Sequence, residues 1–107
     1  MQHEILFVNP VFHEGLNITV RAGDKWMGAN VGDELICKDT DTYEVLRRAT
    51  IVGKAYIPCD LISETWLKFE HDPNCMDYPG LFRVMKEVYP NFTENSLVTV
   101  IFFKILN

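Results

Sequence analysis

The sequence has 107 residues, 48% of them hydrophobic, with fifteen acidic against ten basic side chains and a formal charge of −5. That length sets the expectation of one domain over residues 1–107, with enough apolar material for one core. The acidic balance excludes the proteins that hold long nucleic acid by charge alone, while leaving room for a local basic pocket.

In chain order, residues 4–8 form a β-rich run closed by Asn9-Pro10, a strand and then a turn. Residues 17–22 alternate: Ile18, Val20 and Ala22 point one way, Asn17, Thr19 and Arg21 the other. Loop signals around Lys25-Trp26 lead to the tight turn Val31-Gly32-Asp33 and a strand over 34–38, and the polar turn 39–42 makes a hairpin with the next strand. Residues 43–57 read as one long strand bent near Gly53, a length that favours a coiled or barrel-closing strand over a flat one. Arg47 lies on its apolar parity and so requires a bulge or a buried anionic partner.

Asp60 is placed to cap a helix over 60–69 whose stripe is Leu61, Ile62, Thr65, Trp66 and Phe69. A second helix over 79–89 starts with Pro79 in its first turn, buries Leu81, Phe82 and Met85, and is stopped by Pro90. The last strand, 97–106, is apolar at both parities except for Thr99 and Lys104, as a central strand covered on both faces should be. The class is α+β: roughly five or six mostly antiparallel strands closing into a barrel, with short helices outside.

The row Asn17, Thr19, Arg21 offers amide, hydroxyl and guanidinium on one face, followed by Lys25 and the loop indole of Trp26. Donors for an anion beside a ring for stacking describe a nucleotide-like site, and the same alternation also describes the wet face of an edge strand. Arg47, with Arg48 and Lys54, makes a basic segment in an acidic chain, suited to a phosphate backbone. Tyr78 is placed to close the cleft from the far side, whereas Trp66 belongs to a helix's apolar stripe and to the core. His71, Asp72 and Cys75 lie close in sequence, but no second His or Cys stands at ligand spacing, so no metal and no cofactor are expected. Three cysteines cannot all pair within the chain, and no apolar run has the length of a membrane span, so a cytoplasmic protein with no membrane partner is expected.

The order Gly15-Leu16-Asn17-Ile18-Thr19-Val20-Arg21, Gly23-Asp24-Lys25-Trp26 and Val31-Gly32-Asp33-Glu34-Leu35 resembles the amino-terminal half of ASCH domains, in the PUA-like superfamily. Ala49-Thr50-Ile51-Val52, Val88-Tyr89-Pro90 and the closing 98–103 strand extend the resemblance over nearly the whole chain. It implies a PUA-like barrel with two or three flanking short helices, whose cleft binds RNA, a nucleotide or a modified nucleobase. Some small members are amidohydrolases that remove an acyl group from the exocyclic amine of cytidine with a lysine, a threonine and a glutamate. Thr19 and Arg21 match that pattern, but Leu16 and Asn17 stand where the lysine belongs, which leaves Lys25 as its loop substitute. The glutamate is sought before the second helix, at Glu70-His71-Asp72. The catalytic candidates are thus Thr19 and Lys25, and the ligand-binding candidates Asn17, Arg21, Trp26, Arg47 and Tyr78. An unassisted threonine is a poor nucleophile, so binding ranks ahead of hydrolysis. A module that grips a basic protein partner is the rival class.

Overall fold

The computed structural model describes residues 1–106. Five strands, β1 (Gln2–Phe7), β2 (Leu16–Ala22), β3 (Glu34–Asp39), β4 (Val45–Pro58) and β5 (Leu97–Ile105), form one sheet in the order β1-β3-β4-β5-β2. β1 runs parallel to β3, and every other pairing is antiparallel. The helices α1 (Glu64–Leu67) and α2 (Tyr78–Val88) and three 3-10 turns complete the α+β fold. No helix among the described residues is long and apolar enough to cross a membrane.

Backbone pairing does not run between β1 and β2, the two ends of the sheet order, so the barrel is not closed by a ladder. A side chain bridges the seam instead: Arg21 Nη2 on β2 donates to the Leu6 carbonyl on β1 at 2.9 Å. The sheet therefore curls until its outer strands lie within one side chain of each other, as sheet twist accumulated over five strands allows.

The alternation in the strands separates two cores. Ile5, Phe7, Leu35, Cys37, Ala49, Ile51, Ile101 and Phe103 fill the hollow of the curled sheet. Ile18, Val20, Val98 and Val100 pack from its outer face against Ile62, Leu67, Leu81 and Met85 of the helical layer. β5 supplies both, which is why its sequence is apolar at both parities.

β4 is long because it carries two irregularities. Cys37 faces Arg47 but Lys38 faces Val45, so Leu46 is an inserted residue, and Arg47 takes the bulge rather than an anionic partner. Its guanidinium is exposed and donates to the Leu46 carbonyl at 2.8 Å. Farther on, Ile51 faces Phe103 and Gly53 faces Phe102, leaving Val52 as the insert beside the expected bend. A Cβ at Gly53 would stand 3.3 Å from the Phe102 ring, so glycine lets the two strands close there.

The helix expected over 60–69 is broken in two. Cys59–Leu61 forms a 3-10 turn, Ile62 and Ser63 are extended, and Ser63 Oγ, not Asp60, caps α1 by accepting from Thr65 N at 3.1 Å. The apolar spacing was helical, but the serine competes with the helix for its own backbone. α2 is capped by Asp77, which accepts from Gly80 N at 2.8 Å, and ends one residue before the predicted Tyr89. Cys37, Cys59 and Cys75 are free and buried; burial pushes the first two thiols up to about 12 and raises the third as well.

Candidate functional site

The free edge of β2 is where the chain returns after α1. Ile18 N donates to the Phe69 carbonyl at 2.8 Å, and Ile18 forms an isolated parallel bridge with Glu70. This single rung sets Glu70 and His71 beside Thr19 and Arg21. Val11 N then donates to the His71 carbonyl at 2.8 Å and the His13 ring meets the Glu70 carbonyl at 2.9 Å, so the 70–71 segment is held from both sides.

Four polar side chains converge. Arg21 Nε donates to Thr19 Oγ1 at 3.0 Å, His71 Nε2 lies 3.2 Å from the same hydroxyl, and Glu70 Oε1 lies 3.0 Å from His71 Nε2. The Arg21 guanidinium sits 5.0 Å over the Phe7 ring, and the His71 ring meets Phe7 edge-on at 4.6 Å. These groups line a pocket of about 170 Å³ whose other wall is α2 with Leu81 and Met85, and Tyr89 just past its end.

Glu70 is 2% exposed, and burial raises its carboxyl from 4.5 to about 8. Burial lowers His71 from 6.5 to about 3, with the charge of Arg21 acting in the same sense. At neutral pH the two therefore face each other as a neutral acid and a neutral imidazole, joined by a hydrogen bond. Burial also lowers the Arg21 pKa, while Tyr89 and Glu70 oppose that shift.

Two buried polar atoms have no partner among the described residues, Glu70 Oε2 and His71 Nδ1. If the carboxyl proton is shared with Nε2, then Nδ1–H is a free donor and Oε2 a free acceptor. With the other tautomer the roles exchange. Either way the pair is left with one donor and one acceptor that no described residue meets.

Of the residues singled out by sequence, Thr19 and Arg21 meet in this pocket, and neither Thr19 nor Asn17 is on a wet face: both are fully buried. The Asn17 amide is occupied by the turn before β2, accepting from His13 N and donating to its carbonyl, each at 2.8 Å. Lys25 and Trp26, in the 3-10 turn Lys25–Gly28, line an adjoining cavity with Arg21 rather than the pocket of Thr19. Trp26 is half-buried, edge-on to His3 at 6.4 Å. Arg47 belongs to a different depression, with His13 and Glu14. Tyr78 faces the helical layer, where its hydroxyl donates to the Ile62 carbonyl and its ring stacks on Phe82, and it does not line the pocket. Arg21, which the sequence also offers as the partner of a structural carboxylate such as Asp33, is not paired with it: Asp33 is held by His3 at 2.8 Å and by the terminal amine at 3.5 Å. Sequence reasoning did not bring His71 to Thr19 or foresee Tyr89 in the wall. The available signal was a run of ionisable residues, Glu70-His71-Asp72, lying between two apolar helical stripes.

Among solved structures, the chain superposes on the ASCH domain of Lactobacillus crispatus JV V101 with a TM-score of 0.68 at 12% identity, over 83% of this chain and 63% of that one. A protein of Enterococcus faecalis V583 described as DUF984 gives 0.60 at 15% identity, over 84% of this chain and 60% of the other. The chain thus has an ASCH-like fold and spans about three fifths of these relatives. No family model and no curated protein matches the sequence.

Proposed function

We propose that the chain binds RNA, a nucleotide or a modified nucleobase, with a base inserted between β2 and α2 in the pocket of Thr19, Arg21, Glu70 and His71. The observation that carries this reading is the pair of unpartnered buried atoms, Glu70 Oε2 and His71 Nδ1, on two residues that line a pocket whose other walls are mostly apolar. Leaving buried polar atoms unpaired costs about 1–3 kcal/mol each, and a base edge with one donor and one acceptor would relieve that cost. The ASCH-like fold supports the same class by analogy. Calorimetric titration with the four ribonucleosides, N4-acetylcytidine, the 5′-monophosphates and short single-stranded RNAs tests it. We expect measurable affinity for at least one, reduced about tenfold or more by Glu70→Gln or His71→Ala. Absence of binding across the panel refutes the reading and favours a protein-interaction module.

One observation supports hydrolysis of an acylated cytidine as a second reading: the Thr19 hydroxyl lies 3.2 Å from His71 Nε2, within reach of a base. The protonation states oppose it. An imidazole held near 3 is a weak base, and a carboxyl held near 8 is mostly protonated at neutral pH. Lys25 lines the adjoining cavity and not this pocket. We expect N4-acetylcytidine to be bound and released with little or no turnover. Brisk hydrolysis abolished by Thr19→Ala or His71→Ala would reverse the ranking.

A further inference from the structure

Arg21 is a wall shared by two cavities. On one side lies the pocket of about 170 Å³ with Glu70 and His71; on the other lies a cavity of about 340 Å³ that includes Lys25 and Trp26, and Leu6 and Tyr89 also border both. Pockets that enclose a whole small ligand run to roughly 300–1,000 Å³. The first chamber therefore suits a base ring but not the sugar and phosphate attached to it, which must leave past Arg21 or Tyr89.

The second chamber has different chemistry. Arg21 and Lys25 bring two cationic groups, and Trp26 and Tyr89 bring aromatic faces. Its one acid, Glu4, is engaged by the Lys38 ammonium from the neighbouring strand. Among the described residues no carboxylate stands within ion-pair distance of Lys25. A mostly apolar chamber with mixed donors and acceptors thus adjoins, across Arg21, one that adds the Lys25 ammonium and the Trp26 ring, in the order in which a base adjoins a phosphate-bearing sugar.

We propose that the second chamber is a phosphate subsite, with Lys25 and Arg21 as counter-charges; this rests on the base-binding reading and narrows the ligand to a phosphorylated nucleotide rather than a free nucleoside. The phosphate belongs either to a mononucleotide or to an RNA strand. Calorimetric titration at fixed ionic strength with each ribonucleoside, its 5′- and 3′-monophosphates and the matching dinucleoside monophosphates separates these outcomes. The expected result is a phosphate form binding about tenfold tighter than its nucleoside, with the advantage falling toward parity in Lys25→Ala and persisting in Lys86→Ala, a charge change on the outer face of α2. A dinucleotide tighter than either mononucleotide points to an RNA strand, the reverse order to a free nucleotide, and either supports the subsite. Equal binding of nucleoside and phosphate forms overturns the subsite and leaves the base reading standing. A phosphate advantage that survives Lys25→Ala overturns its placement, and silence from every probe removes both readings.

Discussion

A half-buried guanidinium is tolerated only where its N–H groups are met, and Arg21 meets Thr19 Oγ1 and the Leu6 carbonyl while lying over the Phe7 ring. The residue is therefore structural as well as a binding candidate. Arg21→Ala should lower unfolding free energy by about 1.5–3 kcal/mol, the scale of hydrogen bonds to charged groups, with the loss read from urea titrations. Glu70 and His71 predict a pH signature. The Glu70 contribution, with its pKa raised from 4.5 to about 8, is fully present below 4.5 and is lost as pH rises through 8. That of His71, lowered from 6.5 to about 3, is present above 6.5 and is lost as pH falls through 3. The two slopes oppose each other between 4.5 and 6.5, so stability should be level there and decline from 6.5 to 8. Glu70→Gln, measured by urea denaturation at each pH, should abolish that decline. Thr19 and Arg21 were legible in the sequence because strand alternation puts them on one side. His71 was not, since its approach to Thr19 spans 52 residues and hangs on one backbone bridge that leaves no periodic trace.

At the level of elements, the site depends on how tightly α2 is seated. Gly80 in its first turn has no room for a side chain: a Cβ would stand 1.9 Å from the Asn74 carbonyl oxygen of the 3-10 turn Pro73–Cys75. Gly80→Ala must push that turn and the helix apart, and overpacking of this kind costs about 1–3 kcal/mol. Because Leu81, Met85 and Tyr89 form one wall of the pocket, nucleoside affinity should fall along with the melting temperature. Gly53→Ala, whose nearest new neighbour is a ring at 3.3 Å, should be the milder change. The strands were readable from period and punctuation to within a residue or two, and α2 from Pro79 in its first turn and its Pro90 stop. α1 was not, because the 60–69 segment has helical spacing yet places Ser63 where its hydroxyl caps a shorter helix.

Across the whole molecule, the sheet order β1-β3-β4-β5-β2 puts the first two strands of the chain at opposite ends and then brings them back together around the hollow. Local patterning predicted strands closing into a barrel, but could not show that the seam between the outer strands would be spanned by a side chain instead of a ladder and filled by the 70–71 segment. The buried thiols occupy three regions of this layout: Cys37 lies in the hollow, Cys59 lies in the helical layer and Cys75 lies in the wall of the pocket. With the thiolate suppressed at all three, alkylation can proceed only as fast as each neighbourhood opens, which makes the cysteines three clocks of local breathing. Iodoacetamide labelling followed by peptide mass spectrometry should therefore show Cys75 slowing most when a nucleotide occupies the pocket, while Cys59 keeps nearly its unliganded rate.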